Sequence, residues 1–216
     1  MTTSKPKTIL YIDGFNLYYG CLRDTPYRWL NLATFADVLL PKNNIVAVKY
    51  FTAKVGERPG EDPSKPKRQE LYLRALATLP RVEVILGSFL SKAQWLPLAD
   101  SIGSIQPQFV KVVRTEEKGS DVNLATHMVH DGHRGLYEVA VVVTNDSDLA
   151  ETLRVVRYEI GKPIGLVNPH PRRASVRLVP HASFVKPIRS HILQAAQFPR
   201  TIRDANGKTI TKPMEW

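Results

Sequence analysis

The run Val139-Ala-Val-Val-Val-Thr144 constrains this chain more than any other feature. It is too short for a buried helix, and it lacks the polar alternation of a strand with one wet face. Such a run suits a strand covered on both sides, as in a parallel sheet whose crossover helices shield both faces. Similar runs at 8–12, 45–52, 82–86, 109–113 and 163–167 predict six strands in all. Segments 35–40, 67–79, 120–129 and 147–160 place apolar residues at helical spacing between them. Leu71, Ala75, Leu76 and Leu79 share one face, and Pro80 stops that helix. Strands alternating with helices form βαβ units, so the expectation is a doubly wound α/β domain with a mostly parallel sheet. The Pro- and Gly-bearing stretches 56–67 and 91–108 read as irregular loops. Residues 200–211 read as a hairpin around Asn206-Gly207.

With 216 residues, the chain is sized for one domain with additions. Its net charge of +10 favours a polyanionic partner. That charge is unevenly spread. Residues 1–161 hold 20 basic and 18 acidic side chains, whereas 162–216 hold 10 basic and only Asp204 and Glu215. A single cysteine, Cys21, excludes an internal disulfide framework. No stretch is apolar enough for a membrane span or a signal h-region, so a soluble cytoplasmic protein is expected.

In an open α/β sheet, ligands bind beyond the carboxyl ends of the strands. Asp13 ends the first strand, and Asp146 and Asp148 follow the run at 139–144. Asp121 opens the helix after Thr115-Glu-Glu-Lys-Gly-Ser120. If the first strand and 139–144 are neighbours, all four acids share one edge. Crowded carboxylates raise one another's pKa, and a hard divalent cation relieves the conflict. Each acid alone also fits a helix cap or first-turn position. His127, His130 and His133 lack the companions of a zinc site. No Ser-His-Asp order, P-loop or Gly-x-Gly-x-x-Gly is present, which disfavours acyl transfer and nucleoside-triphosphate hydrolysis.

Three segments together resemble the NYN domain of the PIN-like nuclease superfamily, LabA-like branch. They are Ile9-Leu-Tyr-Ile-Asp-Gly-Phe-Asn-Leu-Tyr-Tyr19, Glu117-Lys-Gly-Ser-Asp-Val-Asn-Leu-Ala125 and Val143-Thr-Asn-Asp-Ser-Asp-Leu149. The resemblance spans residues 8–168, and Arg68-Gln69 also fits its pattern. It implies a Rossmann-like PIN/NYN fold with strand order near 3-2-1-4-5. It further implies a Mg²⁺- or Mn²⁺-dependent ribonuclease leaving 5′-phosphate and 3′-hydroxyl ends. Carried over by position, Asp13, Asp121, Asp146 and Asp148 would be catalytic metal ligands, and Asn16 would orient the scissile phosphate or a metal-bound water. Asn16, Arg68, Gln69, Lys118, Ser147, Arg172 and Arg173 are the expected RNA contacts.

The expected organisation is a nuclease domain over 1–168 and a basic extension over 169–216, with a short helix and terminal hairpin packed on that domain. RNA and a second copy of the chain are the expected partners. The alternative function is an inactive PIN-like RNA-binding or scaffold protein. A Toprim-like or Asp-x-Asp nucleotide-dependent enzyme also places Asp146-Ser-Asp148 after a strand, but leaves Asp121 unexplained.

Overall fold

A computed structural model describes residues 4–56, 62–101, 103, 108–171 and 173–216. The central strand β1 (Lys7–Asp13) runs parallel to β2 (Asn44–Ala53) on one side and β5 (Val139–Val143) on the other. The sheet continues through β3 (Val82–Pro97) beyond β2, and through β6 (Ile164–Asn168) and β7 (Phe184–Pro187) beyond β5. Strand β4 (Phe109–Lys118) pairs antiparallel with β3 at the edge. The full order is β4-β3-β2-β1-β5-β6-β7. Its parallel centre, β3-β2-β1-β5-β6, follows the expected order, and one strand is added at each edge. The fold class is therefore Rossmann-like α/β.

The continuous apolar runs are explained by two covered faces. Leu10 and Ile12 of β1, with Val141 and Val143 of β5, enter a cluster formed with α2 (Leu32–Leu39), α3 (Lys65–Leu76) and α6 (Ser190–Ala195). Ile9 and Tyr11, with Ala140 and Val142, enter the opposite cluster against α4 (Ser120–His133) and α5 (Ala150–Arg154). Burial of each large apolar side chain is worth about 1.5–3 kcal/mol, so a strand buried on both faces is strongly held. That rigid centre fixes the positions of Asp13 and Thr144.

Several boundaries differ from the sequence reading. Helix α2 starts at Leu32 because Asn31 Oδ1 accepts the Ala33 and Thr34 N–H groups at 3.1 and 3.0 Å. The segment 147–160 is not one regular helix. It forms a 3-10 turn at Ser147–Leu149, then α5, then a wide π turn at Val155–Glu159. The stretch 91–108 is a ribbon for much of its length. Strands β3 and β4 pair from Ser88 opposite Lys118 to Pro97 opposite Phe109. Both faces of that ribbon are largely exposed, so its sequence carries no buried run to betray it.

The C-terminal segment supplies β7, α6 and the hairpin of β8 (Thr201–Arg203) with β9 (Thr209–Thr211). Ile192, Leu193, Phe198 and Ile210 lie in the same buried cluster as β1. The Trp29 indole donates to the Pro199 carbonyl at 2.9 Å and packs against Phe198 and Trp216. Arg74 of α3 pairs with Asp204 of the hairpin at 2.9 Å. Among the described residues, no helix is long and apolar enough to cross a membrane.

Candidate functional site

The chain leaves β1 toward β2 on one side, while β5 flanks β1 on the other. This reversal opens a crevice beyond the carboxyl ends of β1 and β5, where α/β sheets bind ligands. Asp13 ends β1 there, Thr144-Asn145-Asp146 follow β5, and Pro169-His170 follow β6. Gly14 is needed at this point, because a Cβ would lie 2.7 Å from the Phe51 carbonyl and the Tyr50 ring. It opens the short helix α1 (Gly14–Leu17), which carries Asn16.

Asp13 is buried at 3% exposure, and its carboxylate is satisfied by three donors. The Asn16 backbone N–H donates to Oδ1 at 2.9 Å, while Asn16 Nδ2 and Thr144 Oγ1 donate to Oδ2 at 2.6 and 3.0 Å. Burial pushes the Asp13 pKa up, these hydrogen bonds pull it back, and nearby Asp146 adds to the rise. Asn16 Oδ1 receives the Asn145 N–H at 3.2 Å and lies 3.2 Å from His170 Nε2. Thr144 Oγ1 accepts the Asp146 N–H at 3.1 Å, and Asp146 Oδ1 accepts the Asp148 N–H at 3.0 Å. One hydrogen-bonded chain therefore ties together the ends of β1, β5 and β6.

Asp121, in the first turn of α4, faces the same edge. Burial comes first and repulsion from Asp13, Asp146, Glu117 and Asp148 second in raising its pKa to about 6. Gly119, at a φ of 94°, supplies the left-handed residue that caps this helix. Ionising Asp121 costs native-state stability, since its folded pKa exceeds the ordinary carboxylate value. That cost is absent below about pH 4 and fully developed above pH 6. Asp121→Asn is therefore expected to stabilise the protein by about 1–2 kcal/mol at pH 7, after allowance for solvent screening at a half-buried group. The gain should vanish near pH 3.5, by about the same principle. Urea melts at both pH values measure it, and an equal gain at both would contradict the electrostatic origin.

The expected nucleic-acid contacts are scattered and mostly engaged. Arg68 pairs with Asp62 at 2.5 Å. Gln69 clamps the end of β2, accepting the Val55 N–H at 2.8 Å and donating to the Ala53 carbonyl at 2.9 Å. Lys118 is exposed and pairs with Glu116 at 2.8 Å. Ser147 sits half-buried in the 3-10 turn between Asp146 and Asp148, and Arg173 is exposed. Arg172 lies outside the described residues.

Thr144, Asn145 and His170 are members of the site that the sequence reading did not pick out. Thr144 and Asn145 stand within the segment Val143–Leu149 that carries the resemblance, but with no role of their own. For His170, the sole available signal was its place after the run at 163–167. Phe15 meets Phe89 of β3 edge-to-face at 5.8 Å, joining α1 to the base of the ribbon. Two open surface depressions, of about 530 and 520 Å³, lie elsewhere, on the outer face of α4 and beside Trp216.

No protein-family model matches the chain. Among solved structures, its fold is similar to that of a protein of unknown function from Vibrio parahaemolyticus. The TM-score is 0.53 and the identity 19%, with 88% of this chain and 96% of that one covered. In sequence it is 35% identical to the 6-hydroxy-3-succinoylpyridine 3-monooxygenase HspA of Pseudomonas putida. The alignment of 237 positions covers 97% of this chain and 75% of that one.

This relative corrects the functional expectation. A monooxygenase points to oxidation, not to hydrolysis of RNA, and so overturns the ribonuclease, hydrolase and RNA-binding assignments. The Mg²⁺ or Mn²⁺ expectation falls with them. Among the described residues, no three His, Cys, Asp or Glu side chains are grouped to hold a metal ion. The physical reason lies in the hydrogen bonds: both Asp13 oxygens already accept protein donors, and Asp146 Oδ1 is spent on a turn. By identity along nearly its whole length, the chain belongs to the enzyme family of the 6-hydroxy-3-succinoylpyridine 3-monooxygenase HspA.

Proposed function

We propose that this protein is an oxygenase that inserts an oxygen atom into a ring of the hydroxypyridine class at the crevice formed by β1, β5 and β6. The observation that carries this reading is the 35% identity to a named monooxygenase across 97% of the chain. A relation of that extent reaches the core, the crevice and the ribbon together. On this reading, an NYN-like scaffold carries oxygen chemistry at the edge where the resemblance implied a nuclease centre.

Inserting one atom of O₂ leaves the other to be reduced to water, which takes two electrons from a donor. Nicotinamide and flavin dinucleotides are common carriers of such electrons. A pyrophosphate of either kind does not fit the turn after β1. The Asp13 carboxylate already caps α1 through the Asn16 N–H. Gly14 has no free space above it, and the acids at this edge repel phosphate. The chain's own residues can bind and orient an aromatic ring and exchange protons with it. Thr144, Asn16 and Asn145 hold the framework of the crevice rigid around such a ligand.

The test is to incubate the purified full chain with 6-hydroxy-3-succinoylpyridine, isotopically labelled O₂ and a reduced nicotinamide, with and without added flavin. Substrate-dependent O₂ consumption and labelled oxygen in the product are expected. No label above the enzyme-free control under either condition overturns the proposal.

A further inference from the structure

The geometry points to His170 as the proton acceptor of this crevice, its Nδ1 taking the proton of a ring hydroxyl or ring N–H from a hydroxypyridine-class ligand. Asn16 and Asp13 are the positioning residues that hold the imidazole. The inference rests on the function proposed above for its class of ligand.

The argument begins at Asp13. Its carboxylate, met by Asn16 N–H, Asn16 Nδ2 and Thr144 Oγ1, acts as an acceptor toward all three. The Asn16 amide must therefore turn its NH₂ toward Asp13, which leaves Oδ1 on the opposite side. That oxygen can only accept, and it takes the Asn145 N–H at 3.2 Å. His170 Nε2, also 3.2 Å from it, must then carry the proton. In a neutral imidazole so held, the lone pair sits on Nδ1. No hydrogen-bond partner meets Nδ1 among the described residues. The His170 backbone N–H donates to Asn168 Oδ1 at 3.0 Å, which anchors the ring's own residue at the end of β6.

Matching of acid strengths selects imidazole over the acids around it. Ring hydroxyls of the phenol type titrate near 10, imidazoles near 6.5 and carboxyls near 4, in about those values. An ordinary carboxylate is thus the weaker base for this proton, and a base closer to the ligand's own pKa transfers it better. Asp121, at about 6, is the competing acceptor at this edge. Asp13 is linked to His170 through Asn16, exposed Arg173 follows on the same connection, and Asp121 interacts with Asp13, Asp146, Asp148 and Glu117 at the same sheet edge.

In the step itself, the ligand O–H or N–H bond breaks and an N–H bond forms at Nδ1. The electron pair stays on the ligand, and no electron leaves the pair. The charge spreads through the ring to the carbon para to the hydroxyl. Positions 6 and 3 of a pyridine stand in that relation, and they are the positions in the relative's name.

The experiment reads the ultraviolet spectrum of 6-hydroxy-3-succinoylpyridine bound to the full chain, across pH and without reductant. Binding to the parent protein, and to Asp121→Asn, is expected to lower the pH of ligand ionisation by about one unit or more. The shift should disappear in His170→Gln, shrink in Asn16→Ala, and return when imidazole is added to His170→Ala. Circular-dichroism melts identify the folded variants. The inference is overturned if folded His170→Gln binds the ligand with the full shift, or if the shift is lost in Asp121→Asn instead. Binding by the parent without any shift also overturns it while leaving the function standing. No binding by the parent overturns the function reading, and the inference with it.

Discussion

Asp131→Ala is expected to destabilise the protein by about 3–5 kcal/mol, a large share of what a domain of this size has to lose. Asp131 lies on the inner face of α4 at 2% exposure. Its Oδ2 accepts from the Tyr11 hydroxyl and from Lys49 Nζ, each at 2.7 Å. Lys49, on the neighbouring strand β2, is itself only 9% exposed, and it also donates to His127 Nδ1 at 3.2 Å. Removing the carboxylate leaves an ammonium between sheet and helix whose remaining acidic partner among the described residues is Glu83, at 3.9 Å and on the wet side. The Tyr11 hydroxyl, whose pKa burial and Asp131 push far upward, loses its partner as well. The cost comes from the stranded charge, and the pair itself contributes less than that figure. The triple change Asp131→Leu, Lys49→Met, Tyr11→Phe should therefore cost far less than Asp131→Ala alone. Urea denaturation of both proteins measures the difference. A single variant within about 1 kcal/mol of the parent would show that water reaches the site.

That network shows where the sequence stops being informative. The parallel sheet was legible because Leu10 and Ile12 face one layer and Ile9 and Tyr11 the other, leaving an unbroken apolar run. Asp131 gives no such signal. It stands in the last turn of a helix rich in polar residues, where an acid reads as solvated, and only the crossing of α4 over β1 and β2 buries it. His127, which lacks the companions of a zinc site, is part of this cluster, edge-on to Phe51 at 5.6 Å.

At the crevice the same limit applies. The strand order places Asp13, Asp121, Asp146 and Asp148 at one edge, where the other three acids contribute to raising the Asp121 pKa. What those acids do depends on donors that motifs do not encode. Thr144 and the Asn16 amide decide whether Asp13 has lone pairs left for a ligand, and they leave few. His170 arrives from a separate strand, 154 positions from Asn16.

Asp13→Ala is expected to cut turnover of the hydroxypyridine substrate by about 10²–10⁴-fold, the usual loss when a general base is misplaced. Stability should change little, because two effects oppose. The substitution strands Asn16 Nδ2 and the Thr144 hydroxyl, each at a cost of about 1–3 kcal/mol if buried without a partner. It also removes a carboxylate that burial and Asp146 make costly to ionise. That relief exists only above the ordinary carboxylate range, because the folded pKa is raised. The variant should therefore fare best relative to the parent at neutral pH and lose ground as the solution is acidified. The catalytic loss has a different origin. With no acceptor at position 13, the Asn16 amide is free to turn its NH₂ toward His170, and the proton then has no reason to sit on Nε2. Adding Asn16→Ala to Asp13→Ala should accordingly bring little further loss, since both act through one imidazole. Steady-state rates of the two single variants and the double variant decide it. Losses that multiply would mean that Asp13 and Asn16 serve the reaction separately.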